Sequence, residues 1–379
     1  MRFADIPGLS EIKQRLTRSV RDGKIAHAQL FMGRDGALNL PLAIAYMTYL
    51  HCVNRTETDA CGQCPACSKN LKYIHPDTHF VFPVSNVKGD KDDDRFRADM
   101  MKSWRTFLTE QPFGHPGDWT TSYGGEDKTA IISKEESREI VKALSLKPFE
   151  SPIKVMIIWQ PEAMHPSAAN GILKILEEPP QSTFFLLVST NAERLLPTIL
   201  SRTQHVTVPL LSDAELDAFL VSREPDAAKR GKAVADADGN LRLALTLLEN
   251  EGENLHETLA GWLRLCYKLD AVKLVALSEE FHEMDKLKQH SFLAYAMKMM
   301  RETMLARAGA DQLLRSRDAE QQFVRNFSRV VPLPAVEEAY HLLNDASAML
   351  ERNGSAKMIF MDASLRLSRA FERHAAAVN

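Results

Sequence analysis

The sequence predicts an α/β domain on a parallel sheet, then a few short helices, then a long all-helical region. Three observations carry that prediction. "KVMIIW" (Lys154 to Trp159) and "TFFLLVST" (Thr183 to Thr190) are unbroken apolar runs, as expected of strands buried on both faces. Between them "SAANGILKILEEPP" reads as a helix stopped by Pro179 and Pro180, so the three elements form a right-handed βαβ unit. Upstream, Leu30 to Met32 form an apolar strand that runs into Gly33, Gly36 and a helical run. That order is the one that cradles phosphate on a helix N-terminus. From about residue 253, "GWLRLCYKL", "SFLAYAMKMMRETML", "VVPLPAVEEAYHLLNDASAMLERN" and "MIFMDASLRLSRAF" carry apolar stripes at helical spacing.

The chain has 379 residues, enough for about two or three domains. Its 45% hydrophobic and 26% charged content is that of a globular protein in water. A net charge of -3 gives no overall basic bias, so nucleic acid would have to meet a local patch. No apolar run approaches the roughly 20 residues that span a bilayer, and "MRFADIPGLSEIKQRL" is amphipathic and unlike a secretion signal. Four of the five cysteines fall within sixteen positions. That clustering argues for metal in a reducing cytoplasm over disulfides.

Taken in order, "PGLSEIKQRLTRSVRDGK" is a helix with Ser10 as N-cap and Ile12, Leu16 and Val20 on its apolar stripe. The Leu30 strand, the glycine turn and an apolar helix from about Leu40 to Leu50 follow. Residues 76 to 130 read as irregular, with a helix from Met100 to Leu108 interrupting them. The acidic run Asp90 to Asp94 within them reads as a solvated loop. "SKEESREIVKALSL", from Ser133, opens with S-x-x-E and continues with Ile140, Val141 and Leu144 on one helical face. Residues 210 to 250 hold two or three short helices.

Two clusters carry chemistry. Cys52, Cys61, Cys64 and Cys67 have the spacing C-x8-C-x2-C-x2-C. Four thiolates close a tetrahedral shell and leave no open position, so the expected metal is structural zinc. His51 is a substitute ligand, and reduced surface thiols or a redox dithiol are the competing readings. Cys266 lies on a helical apolar stripe and reads as a core thiol. The glycine turn is the second cluster. A phosphate loop closes on Gly-Lys-Ser/Thr; here those positions are Leu38, Asn39 and Leu40.

These residues resemble a known family. "FADIPGLSEIKQRL", "GKIAHAQLFMG", the cysteine module, "SAANGILKILEEPP", "STNAERLLPTILSRT" and "GNLRLALTLLE" follow in the order seen in bacterial clamp-loader AAA+ subunits. The likeness covers about residues 3 to 75 and 131 to 250. ATPase members of the family carry an Asp-Glu pair after the strand; the aligned positions here are Trp159 and Gln160. Lysine on the phosphates, hydroxyl and aspartate on magnesium, and glutamate on water are what hydrolysis needs, and all four roles are empty. The resemblance is therefore to the non-hydrolysing delta-prime member, with Gly33 and Gly36 keeping only the shape of the turn.

The resemblance also implies functional residues. The family's Ser-Arg-Cys motif appears as Ser201, Arg202 and Thr203. Its arginine acts in trans on a neighbour's ATP, and here it follows what reads as a strand and turn, "LPTILSR". Arg242 sits where ATPase members place an arginine that senses their own nucleotide; without nucleotide it reads as structural. The implied architecture is an α/β AAA+ domain over residues 1–209, with the zinc module at 52–67 and an insertion at 76–130. A helical lid over 210–252 and a C-terminal helical oligomerisation domain over 253–379 complete it. The implied function is that of a non-hydrolysing stator in a hetero-pentamer with gamma/tau and delta subunits, loading the sliding clamp onto primed DNA. No tight ATP binding is expected, and the location is cytoplasmic. The alternative is a stand-alone AAA+-like DNA-binding or scaffold protein, which co-purification with the other subunits would separate.

Overall fold

Five parallel strands in the order β2-β3-β4-β1-β5 form the sheet of a computed structural model of the chain. The structure describes residues 1–85, 94–125, 128–145, 147–249, 255–316, 318–351 and 354–376. The expected run Asp90 to Asp94 falls, except for its last residue, outside them. Two compact units divide the chain, Met1–Thr246 and Leu247–Asn379.

In the first unit, α1 (Ser10–Arg21) leads to β1 (Ala28–Met32) and α2 (Asn39–His51), which is buried along its whole length against β1, β3 and β4. Then come α3 (Pro65–Asn70), β2 (Thr78–Val81), α4 (Asp94–Glu110) and α5 (Pro116–Ser122). The series continues with α6 (Lys134–Ser145), β3 (Lys154–Trp159), α7 (Pro166–Glu177) and β4 (Thr183–Ser189). It closes with α8 (Pro197–Leu200), β5 (Gln204–Thr207), α9 (Asp213–Leu220), α10 (Ala227–Ala237) and α11 (Leu241–Glu249), the last running through the boundary between the units.

The apolar runs explain the sheet. All six residues of β3 are buried and β3 pairs with both β2 and β4, which is why its sequence shows no polar alternation. Ser133 caps α6 by accepting the Glu136 N–H at 3.3 Å, and Ile140 and Leu144 enter the core with Ile158, Ile172 and Leu187. The chain leaves β1 for β2 at the far edge, crossing over β4 and β3, and only later returns to flank β1 with β5. In open α/β sheets the crevice beyond the carboxyl ends at such a reversal is where ligands bind.

Three expectations are corrected. Ser10 is the first helical residue and not the cap; Leu9 takes that place at φ 56, its N–H held by the Glu215 carboxylate at 3.0 Å. The described residues of 76–130 hold more regular structure than composition implied. β2 opens them, and the expected Met100 to Leu108 helix extends over Asp94–Glu110 and is followed by α5. Their order comes from aromatic packing, which helical periodicity does not register. Finally, "LPTILSR" is no strand: Pro197 starts a helical turn, and the strand β5 follows Arg202.

The second unit is helical: α12 (Leu255–Lys268), α13 (Ala271–Glu283), α14 (Lys286–Arg307), α15 (Asp318–Val330), α16 (Leu333–Glu351) and α17 (Ala356–Ala376). Its own core centres on Trp262, which stacks on Phe360 at 4.6 Å and donates to Ser364 Oγ at 2.8 Å. Cys266 is buried in this core, and burial pushes its thiol up to about 12.

Candidate functional site: a four-cysteine centre, a glycine turn and a paired arginine

The four sulfur atoms of Cys52, Cys61, Cys64 and Cys67 lie within 4.8 Å of one another, and Cys61 and Cys67 are 3.9 Å apart. A tetrahedral zinc with bonds of about 2.3 Å needs sulfurs about 3.8 Å apart, so the donor set fits such an ion. Local backbone geometry holds it. The N–H groups of Cys61, Cys64 and Cys67 point at the sulfurs of Cys52, Cys61 and Cys64, at 3.3, 3.4 and 3.5 Å. Backbone N–H groups of Gln63 and Cys64 stabilise the Cys61 thiolate and lower its pKa to about 6. His51 is excluded as a substitute ligand. Its Nδ1 faces Ser151 Oγ at 3.0 Å and its Nε2 faces Thr78 Oγ1 at 3.2 Å, while the ring stacks on His75 at 4.4 Å. Burial, then the neighbouring His75, lowers the His51 pKa to about 3.

The glycine turn follows the carboxyl end of β1. Leu38, Asn39 and Leu40 are all buried. The Asn39 amide donates to Ser189 O at the end of β4, at 2.9 Å, and to Gly33 O at 3.4 Å. The lysine position thus carries a short side chain tying β1 to β4. A Cβ on Gly33 would meet Val208 O at 2.3 Å, and Gly36 has φ +82 with Asn240 against it. Both glycines are required by the turn and its neighbours, with no ligand invoked.

Trp159 and Gln160, at the end of β3, also serve packing and backbone geometry. Trp159 is buried with its ring 5.1 Å from Trp104 and 6.0 Å from Phe107, both on α4. Gln160 adopts φ 54 and ψ 61 at the turn that follows. Two residues on, Glu162 accepts the N–H groups of Thr190 and Asn191 at 3.2 and 3.3 Å. Burial, outweighing these bonds, raises its pKa.

Arg242, at the start of α11, donates from Nε and Nη2 to the two carboxylate oxygens of Asp118 on α5. His115 Nδ1 accepts the Gly117 N–H at 3.0 Å, which leaves Nε2 to donate to Asp35 in the glycine turn at 2.9 Å. Asp35, His115 and Asp118 were not singled out from the sequence. "HPGD" carries a capping signal for α5, but nothing local tells which distant groups those side chains meet.

Arg202 lies elsewhere. β1 and β5 are parallel and Gln29 pairs with Gln204, so Arg202 is level with His27, before β1 begins. The glycine turn follows the other end of that five-residue strand, six residues on and roughly 20 Å away at about 3.3 Å per residue. The guanidinium Nη2 donates to Glu177 Oε1 at the end of α7, and Nη1 to Thr198 O at 3.0 Å. A surface recess of about 690 Å³ adjoins it, lined by His27, Leu176, Glu177 and Ser201 among others. A third of the Arg202 side chain remains exposed.

Residues 8–212 match the family model described as DNA polymerase III, delta subunit. The chain belongs to that family. It is a clamp-loader AAA+ subunit of the gamma/tau/delta-prime group. Among its relatives, the DNA polymerase III subunit gamma of Buchnera aphidicola (from Acyrthosiphon pisum) is 26% identical over 254 residues, 65% of this chain and 58% of the relative. The subunit delta' of Pseudomonas aeruginosa is 29% identical over 201 residues, 53% of this chain and 48% of that one. A gamma subunit-related protein of Thermotoga maritima has a solved structure with 15% identity and a TM-score of 0.40, covering 96% of this chain and 99% of its own. The chain thus spans less than two thirds of the length of these two sequence relatives.

Proposed function

We propose that this chain is the delta-prime-like, non-hydrolysing subunit of a clamp loader. In that role it acts as a stator: it joins gamma/tau and delta subunits in a hetero-pentamer and supplies Arg202 to a neighbour's ATP during loading of the sliding clamp on primed DNA, in the cytoplasm. The observation that carries the reading is the position of Arg202, about a strand's length from the glycine turn of its own chain and with a third of its side chain exposed. An arginine so placed cannot serve a phosphate bound at Gly33 to Leu40 of the same chain, and it is free to meet one bound to another. Its pair with Glu177 does not stand in the way. Exposed ion pairs are worth at most about 1 kcal/mol, so exchanging the carboxylate for phosphate oxygens costs little. The planar fork then matches the phosphoryl group and neutralises charge that develops on it as the bond to the leaving group breaks. Zinc held by Cys52, Cys61, Cys64 and Cys67 serves the fold only, since the four thiolates complete its shell.

The direct test is a reconstituted loader carrying Arg202→Ala, assayed for clamp-and-DNA-stimulated ATP hydrolysis and for loading. Arginine fingers contribute about 10³–10⁵ in rate at the site they serve. Hydrolysis should therefore fall by the share of that one site while the complex still assembles. Wild-type hydrolysis and loading by an assembled mutant complex would assign Arg202 to the surface, with no catalytic part.

A further inference from the structure

Two charged groups around the glycine turn, Asp35 and Arg242, are both met by one segment of the chain. The segment is α4 and α5. It rests on the sheet through an aromatic chain. Trp159, at the end of β3, packs on Trp104, and Trp104 packs on Trp119 of α5 with ring centres 5.1 Å apart. The Trp119 indole N–H donates to Pro83 O at 2.7 Å, and its ring also meets Phe82 at 5.0 Å. From this seat α5 reaches in two directions. His115 bonds Asp35 in the turn, and Asp118 takes both donors of Arg242 on α11. Asn240, which caps α11 by accepting the Leu243 N–H at 3.0 Å, lies directly on Gly36.

We infer that α5 is an internal strut that stands in for a nucleotide: the Asp118 carboxylate occupies Arg242 as a phosphate would, and so holds α11 on the turn permanently. Three features agree. The Arg242 and Asp118 side chains are only 20% and 13% exposed, so the pair is shielded as surface pairs are not. The bond is a fork-to-fork contact, the geometry by which guanidinium recognises carboxylate and phosphate alike. The residue that anchors the strut, Trp159, occupies one of the positions vacated by the acidic pair. The inference holds whether or not Arg202 reaches a partner, because it concerns this chain's own groups.

The neighbouring helix provides an internal control. α9 is held by Glu215, whose carboxylate accepts the Leu9 N–H at 3.0 Å and the Ser212 N–H at 2.9 Å, and by Phe219 packed 5.8 Å from Phe113 between α4 and α5, contacts in which neither Asp118 nor Arg242 takes part. Loss of the strut should therefore loosen α11 and leave α9 in place. The experiment is amide hydrogen exchange on the full chain. Asp118→Asn removes the charge yet can still accept the His115 N–H that caps α5, now at 2.7 Å; Arg242→Gln removes the other partner. Each should speed exchange in α11 by about ten-fold or more while α9 stays protected. The double variant should be no faster than either single one, since both remove the same contact. Unchanged exchange in α11 in both single variants, or additive effects in the double one, would overturn the inference. Far-UV circular dichroism checks that each variant is folded.

Discussion

At the residue scale, Asn39 and Glu215 show how single buried or half-buried polar side chains hold backbone groups of distant segments. Asn39 spends its amide on the carbonyls of Ser189 and Gly33. Asn39→Lys, which restores the lysine alone, should not create ATPase activity, because the magnesium and water-orienting groups are still missing. It should instead destabilise the first unit by about 1–3 kcal/mol, the cost of losing buried hydrogen bonds, measured by chemical denaturation. Calorimetry of the unaltered chain with Mg-ATP should find no low-micromolar site. Losing two charge-assisted contacts weakens such a site by about 3–6 kcal/mol. Glu215 predicts a pH dependence. Burial pushes its pKa up, but the N–H and hydroxyl of Ser212, the Leu9 N–H and then Lys13 bring it below the ordinary value. A carboxylate depressed in the folded state stabilises fully above its unfolded pKa of about 4.3, and that contribution is lost as the pH falls through the lower folded value. Glu215→Gln should cost about 1–2 kcal/mol at neutral pH. The gap from the wild type should close in acid; a gap that persists below pH of about 3 would contradict the assignment.

At the element scale, the stretch from α2 to β2 carries four cysteines whose sulfurs are close enough to hold one metal ion. α3 is a six-residue helix, too short to be stable by itself, and the loop before it is kept in place by N–H groups directed at sulfur. Structural zinc contributes about 10–16 kcal/mol to folding small modules of this kind. Elemental analysis should find about one zinc per chain. Cys52→Ser, or chelation under denaturing stress, should expose 52–67 to protease well before the sheet is cut. Protein that is metal-free yet equally resistant would argue for a set of reduced thiols.

At the scale of the whole molecule, each unit has its own core. Leu30, Ile158, Phe185 and Leu187 lie at the centre of the first, and Trp262, Phe292 and Phe360 are packed in the second. A fragment beginning near residue 247 should therefore melt cooperatively with a helical circular dichroism spectrum, because domains with complete cores fold alone. This division also bears on assembly. In the proposed loader the second unit supplies the oligomerising contacts, and Arg202 lies in the first. Arg202→Ala should then co-elute with the other subunits as the wild type does, and loss of co-elution would place Arg202 in the assembly contacts.

Much of this was legible in sequence wherever the signal is local. β3, β4, the α6 cap and the cysteine spacing are each written in contiguous residues, since burial on two faces, capping and chelate spacing act over a few positions. β2 and β5, four residues each, are too short to show a period and exist because longer strands pair with them. The contacts around the glycine turn depended on tertiary structure altogether. Asp118 and Arg242 are 124 positions apart, and α5 has no apolar stripe to announce where it docks. A polar pair between distant elements leaves no periodic mark in a sequence, because only the sheet and its aromatic seat bring the two groups within reach.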